Sequence, residues 1–498
     1  MARTPARIAR LLVANPGTAI AASLTMLALV YFAILTRGSF NLAHPTPSGF
    51  AFNSMLLHLL RGQFDVDPGT IANEGFLVNG KVYSYFGIFP ALFRLLFLPF
   101  VDLMRTNLTS VSCLVADLIA VGAQLAIILK IFRRFGVDGR QYLLLAFVVA
   151  TLFSGPQFFF LRPSIYQEPV FWSLAFAYSF IYLALDIVLF GRAATAAILG
   201  LMAVLAGLTI LTRVSVAVAL YAAMGVMLLH TLAVAQSGKP KSVGRMLLSI
   251  AAPRYWLPVV ILLVFAGVAG YVNFMRFGSP LKFIDLHYQL MSIIENPDRL
   301  PRLDTYGEFN LARLWYGILY YFIPVWMLRG ADGALLFPEF RHRYMDMVEL
   351  PPSSFLISDP LILAFAAFAI WKMVGALRTD APGAAPLLAL AVAFAIPPVM
   401  ELFAISVSFR YRGDFYPLFI FLAAVGLAFL LSNPPDADRR TWLPRLAWPF
   451  ALVSVASGVV LLGLYWLSPY GDGAKCVKDG WIQCYEARLP GHGGAGPD

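Results

Sequence analysis

Apolar runs of about twenty residues recur along this chain, and nothing else constrains its fold as strongly. They lie near 18–36, 108–130, 139–156, 169–190, 194–211, 214–235, 255–275, 358–377, 384–406, 414–431 and 446–467. A helix rises about 1.5 Å per residue, so a run of this length crosses the ~30 Å hydrocarbon core of a bilayer. Lipid offers the backbone no hydrogen-bond partner, and a helix satisfies every backbone group internally. The expected fold is therefore an all-α membrane protein of about eleven transmembrane helices. Only 13% of the residues are charged, against roughly 25% in soluble domains.

Charge placement then orients the chain. Seventeen Lys and Arg fall in the short loops 1–10, 130–140, 191–193, 236–254, 372–383 and 432–445, against Asp138, Asp380, Asp436 and Asp438 alone. By the positive-inside rule these loops are cytoplasmic, which puts the N-terminus in and the C-terminus out. The formal charge of +10 thus reads as topology, and no nucleic-acid partner is expected. The apolar segment 87–107 carries Pro90, Arg94 and Pro99. Counting it as a span would place the basic loop 130–140 outside, so it is read as interfacial or re-entrant. The same reasoning makes 314–328 interfacial. One transmembrane domain over 1–467 results, with large outer loops 37–107 and 276–357 and an outer tail 468–498. Cys476 and Cys484 of that tail can pair outside the cytoplasm, and Cys113 reads as packing. The opening MARTPARIAR and the apolar run after it read as an uncleaved first span.

The first outer loop is the most informative segment. SGFAFNSMLLHLLRGQF (48–64) places Phe52, Met55, Leu56 and Leu59 on one helical face, suited to the membrane surface. DVDPGTIANEGFLVNGKVYSYFGIFP (65–90) follows, with Asp65, Asp67 and Glu74 ahead of Tyr83 and Tyr85. Asp65-Val66-Asp67 can bind a divalent cation or supply a general base. The same residues, with Pro68 and Gly69, also make an ordinary solvated turn.

The order of one span, an outer loop with a surface helix, an acidic stretch and the Gly80–Leu92 segment GKVYSYFGIFPAL resembles the GT-C glycosyltransferases. That group uses polyprenyl-phosphate sugars and includes protein O-mannosyltransferases and lipid A aminoarabinose transferases. SFRYRGDFYPLF (408–419) is similar to the Arg-Tyr and Pro signature that opens a late span in many members. The resemblance implies inverting transfer of a sugar from a polyprenyl-phosphate carrier to an extracytoplasmic lipid, glycan or protein, with a first-loop carboxylate as base. Many members carry that acid soon after the first span. Here RGSFNLAHPTPSGFAFN (37–53) holds no Asp or Glu and offers His44. The role passes to Asp67, then Asp65, then Glu74. No cofactor is certain, the Asp65/Asp67 pair being the place for a divalent cation if one is used.

A leaving phosphate needs positive charge near headgroup depth. Arg410, Arg412, Arg213 and Arg162 are the candidates, and Arg so near the apolar zone requires a partner. Internal pairs Arg410–Glu401, Arg412–Asp414 and Arg162–Glu168 are the alternative. Tyr83, Tyr85, Glu168, Asp285, His287, Tyr411 and Asp414 are assigned to the acceptor cavity, with Asp304, His342 and Tyr344 also available. His287 and His342 fit no metal spacing. Among the spans, Asp186 is expected near a cytoplasmic end and Asp117 inside the bundle. No Walker A, dinucleotide, zinc or GxSxG motif is present in the sequence. A lipid-linked sugar transporter or flippase, a surface-polysaccharide polymerase or ligase, and a non-catalytic relative remain open. The expected location is a bacterial inner membrane.

Overall fold

The computed structural model describes residues 3–41, 43–237, 252–282, 284–324, 343–345, 351, 353–378, 383–432 and 443–468. His342, Cys476, Cys484 and nearly all of the expected tail lie outside these residues. Among the described residues, ten helices are long and apolar enough to cross a membrane, and the chain is a multi-pass α-helical membrane protein. The run at 194–211 forms Ala196–Ile210, only 15 residues. With its flanks it carries the chain from Arg192, paired with Asp186 at one end of the bundle, to Arg213, paired with Asp414 at the other.

The N-terminal helix α1 (Arg3–Ala14) is strongly amphipathic and leads through Asn15 into α2 (Pro16–Leu35). The surface helix α3 (Ala51–Leu59) buries Phe52, Met55 and Leu56, as its periodicity predicts. Next comes a hairpin of β1 (Phe76–Val78) and β2 (Lys81–Tyr83), paired antiparallel with Phe76 opposite Tyr83. Asn79 and Gly80 turn it with positive φ at both positions, the conformation Asn-Gly favours. Segment 87–107 contains only Phe89–Phe93, a 3-10 turn Arg94–Leu96 and further turns, so it does not span.

The bundle continues with α4 (Thr109–Phe135), α5 (Gln141–Phe153), α6 (Gln167–Val188), α7 (Ala196–Ile210), α8 (Val214–Gln236) and α9 (Pro253–Phe277). Helix α10 (Leu314–Phe322) has nine residues. Helices α11 (Pro360–Arg378), α12 (Ala384–Phe394), α13 (Ile396–Phe403), α14 (Tyr416–Ser432) and α15 (Leu443–Leu467) complete it. The run 384–406 is thus two helices broken at Ala395, ahead of Pro397 and Pro398. α6 and α14 are apolar all round and buried nearly throughout, which makes them the centre of the bundle. α9 lies at the edge and leaves Val259, Val260, Leu263 and Val264 exposed. Such residues suit contact with acyl chains.

A buried ionic knot fastens the first loop to this bundle. Arg94 and Glu168 are both fully buried and pair with each other, with Arg94 Nη2 to Glu168 Oε2 at 3.0 Å. Arg94 also donates to Asn53 Oδ1 at 2.8 Å and to the Pro90 carbonyl at 2.7 Å. Glu168 was expected beside Arg162. Arg162 instead turns to Tyr465 and Ser468 at the end of α15. The fork of Arg94 fits the carboxylate, and Asn53 and Pro90 complete its donors.

Candidate active site

The three first-loop acids separate into two places. Asp65 and Asp67 flank one imidazole, with His58 Nδ1 3.4 Å from Asp65 and His58 Nε2 3.4 Å from Asp67. Ser54 Oγ donates to Asp67 at 2.8 Å and accepts the Asp67 N–H at 2.9 Å. Lys81 Nζ lies 4.0 Å from Asp65. The pair therefore grips opposite edges of His58, and as arranged it does not converge on a point where a cation would sit. Among the described residues, no group of three or more His, Cys, Asp or Glu is arranged to hold a metal ion.

Glu74 points elsewhere. It ends a short 3-10 turn, Ala72–Glu74, that follows Asp67-Pro68-Gly69. The Tyr166 hydroxyl donates to Glu74 Oε1 at 2.6 Å, and Gln289 Nε2 donates to Oε2 at 3.3 Å. Each oxygen keeps a lone pair for another donor. Tyr166 comes from the turn before α6. Gln289 comes from the second large loop, whose Leu290 N–H bonds the Gly75 carbonyl at 2.9 Å and whose Gln289 bridges Phe76. Both large loops and the bundle thus meet at one carboxylate.

The cations of 408–419 divide in the same way. The Arg410 guanidinium stacks 4.0 Å from the Tyr166 ring and 5.4 Å from Tyr411. Arg213 makes a bidentate pair with Asp414 at 2.5 and 3.0 Å, and Ser215 adds a third bond at 2.7 Å. Glu401 lies 4.0 Å from Arg213. Arg412 is buried and pairs with Asp359 at 2.9 Å, a carboxylate that also accepts from Tyr416. The expected Arg412–Asp414 pair is not formed, because Asp414 belongs to Arg213. Tyr85 lies within electrostatic range of Glu74, Arg410, Tyr411 and Arg213. Burial first, then the Glu74 charge, holds its phenol well above the ordinary value, so it remains a proton donor at neutral pH. Tyr83 packs on Phe277 at the end of α9.

Gly87 sets the approach of this loop to the bundle. A Cβ there would lie 2.2 Å from the Leu211 carbonyl oxygen and 2.7 Å from Thr212 Cα. Phe89 N–H bonds that same carbonyl at 2.8 Å. The contact seats the tyrosine segment against the turn that carries Arg213. Arg276, buried at the end of α9, adds a bond to the Phe86 carbonyl at 2.9 Å.

Asp285 and His287 lie apart from this cluster. His287 bridges Asp285 and Asp304, each at 2.9 Å, and Lys282 bonds Asp285 at 2.7 Å. Bonds to Asp304 and then Asp285 raise the His287 pKa. Its contribution is full below the unfolded value near ~6.5 and is lost as pH rises through the folded one. Asp285 is shifted down by its bonds to Lys282 and His287 although burial opposes this. Its contribution is lost as pH falls through that lowered value. Limited proteolysis of 284–306 should therefore quicken as pH rises from neutral, and His287→Gln should flatten that dependence.

Sequence reasoning missed Tyr166, Gln289 and His58. Tyr166 had a signal, as it lies in FLRPSIYQEP between two spans. Gln289 had none, because only the docking of the second loop brings it to Glu74. His44 stands near Ser39, with Oγ to Nδ1 3.5 Å. Tyr344 is buried and donates to the Arg313 carbonyl. Asp186 pairs with Lys130 and Arg192. Asp117 is fully buried in α4, and neither carboxylate oxygen has a hydrogen-bond partner.

No protein-family model matches the chain. No curated protein matches it. Among solved structures, the apo oligosaccharyltransferase of Archaeoglobus fulgidus aligns with a TM-score of 0.49 and 12% identity, over 96% of this chain and 61% of that one. The oligosaccharyltransferase AglB from the same organism, in complex with an inhibitory peptide and a dolichol-phosphate, aligns at 0.47 with 13% identity, over 97% and 61%. The chain thus spans about 61% of the length of these structures.

Proposed function

We propose that this protein is an inverting membrane glycosyltransferase of the GT-C type that moves a sugar from a polyprenyl-phosphate carrier to an extracytoplasmic acceptor. The observation that carries the proposal is Glu74, held by Tyr166 and Gln289, with the Arg410 guanidinium stacked on that same Tyr166 ring. Of the three first-loop acids, Glu74 takes the base role. An acceptor hydroxyl loses its proton to this carboxylate as it attacks the anomeric carbon. The bond from that carbon to the phosphate oxygen breaks on the opposite face, and the phosphate leaves with the electron pair. Arg410 faces the charge that develops there. Arg213 takes a supporting part, because Asp414 already holds its fork. Arg412 and Arg162 serve the packing of the late helices. The short basic loops face the cytoplasm of a bacterial inner membrane, and the site opens on the other side.

The test is transfer by the purified full-length protein in lipid, with a panel of polyprenyl-phosphate sugars and Arg410→Gln beside wild type. Consumption of one donor, with a loss of about 10²-fold or more in Arg410→Gln, supports the reading. Uptake of intact lipid-linked sugar into proteoliposomes without transfer favours a flippase instead. Gly87→Ala gives a second check. Backbone atoms stand in the way of the added methyl, so the loop must shift. Displacement of about 1 Å can cost 10²-fold in rate. Turnover should fall by about 10–10²-fold while the melting midpoint moves little. Unchanged turnover would mean that the tyrosine segment does not position the reaction.

A further inference from the structure

The end of the bundle opposite the candidate site carries a groove that the proposed chemistry does not use. α4 begins at Thr109, beside Arg94, and runs for 27 residues. Its last turn therefore lies about 40 Å from the first. There the start of α2, the end of α4 and the end of α6 enclose about 600 Å³. Lys130, Arg133 and Arg134 of α4 line one side, and Ile20, Tyr182 and Phe190 give the groove an apolar wall.

Among the described residues, the basic groups of this groove outnumber the acids that pair with them. Lys130 and Arg192 share one carboxylate, Asp186. Asp138, the next acid along the chain, is held by Arg10 at 2.9 Å. Arg133 and Arg134 stay exposed at the rim. Lys130 Nζ also lies 5.0 Å from the Tyr182 ring and 5.5 Å from that of Phe190. α2 begins at the groove with Pro16 and no side-chain cap, and no atom stands within 4 Å of where a Gly17 side chain would be. The positive end of its dipole adds to the arginines.

We propose that this groove binds the headgroup of an anionic glycerophospholipid. Its phosphodiester would meet Arg133 and Arg134, and one acyl chain would follow the Ile20 and Phe190 wall. Three features select that ligand. Arginine forks match phosphate oxygens. The groove lies at the ends of three membrane-spanning helices, at the depth of lipid headgroups. Free phosphate would meet the same cations and leave the apolar wall exposed, so the wall favours a lipid.

Native mass spectrometry of the full-length protein tests this, after titration with dioleoylphosphatidylglycerol or dioleoylphosphatidylcholine. Wild type should retain one phosphatidylglycerol that Arg133→Glu/Arg134→Glu binds at least tenfold more weakly, and should show no such preference for phosphatidylcholine. Arg133→Lys/Arg134→Lys, which keeps the charge and loses the forks, should fall between wild type and the Glu pair. Arg105→Glu, an exposed arginine ahead of α4, should change nothing. An unchanged melting midpoint in phosphatidylcholine would show that the double variant is folded. Equal retention of phosphatidylglycerol by wild type and the Glu pair would overturn the proposal. So would its displacement by millimolar inorganic phosphate.

Discussion

Glu74→Gln is expected to lower turnover by about 10²–10⁴-fold, the usual worth of a positioned general base. The substitution keeps the shape of the side chain. The amide oxygen can still accept from Tyr166, which donates to Glu74 at 2.6 Å in the native chain. Folding and donor binding should therefore survive, and the loss should fall on kcat with KM nearly unchanged. Asp65→Asn and Asp67→Asn form the contrast. Their carboxylates flank His58, and Ser54 already donates to one of them. Turnover in these variants should stay within about fivefold of wild type. The reverse pattern, with Asp67→Asn dead and Glu74→Gln active, would move the base to the His58 cluster.

The second large effect is on stability. Arg94→Met should destabilise the folded protein by about 3–5 kcal/mol, because it strands the buried Glu168 carboxylate. Arg94 also supports Asn53 and the Pro90 carbonyl, so more than one partner is left without a donor. Arg94→Lys should rescue little, since an ammonium cannot supply the fork. Arg94→Met/Glu168→Met should recover much of the loss, because a buried pair replaced as a unit by apolar residues is often close to neutral. Melting midpoints of wild type, Arg94→Met, Glu168→Met and the double variant in one detergent would measure the coupling. Additive losses would show that the pair is not the unit.

Most of the membrane architecture was legible, because it rests on two strong signals. Apolar length marks the spans, and the basic loop 130–140 kept 87–107 from being counted among them. The apolar face of α3 was legible from Phe52, Met55 and Leu56. The 194–211 run forms only fifteen helical residues, because hydropathy does not register where a helix stops. Thr195 caps its start, and the backbone turns at Leu211 and Thr212 ahead of Arg213. The candidate site was legible only in its parts list. The acid-x-acid pattern drew attention to Asp65 and Asp67, whereas the tertiary fold brings Glu74 to Tyr166 and Gln289, with Arg410 stacked on that tyrosine. Ion pairing was harder still. Arg94 finds Glu168 across 74 positions and Arg213 finds Asp414 across 201, and local spacing carries no record of either.

The bond from Gln289 to Glu74 joins residues 215 positions apart, and that separation has a meaning in time. A ribosome adding about 5–20 residues per second needs roughly 10–40 s to pass from one to the other. During that interval six helices, α4 to α9, enter the membrane. Glu74 is then outside the bundle with its hairpin but without Gln289. Until the second large loop arrives, Glu74 lacks its Gln289 donor and Gly75 its bond from Leu290, so the surroundings of this carboxylate are completed only late in synthesis.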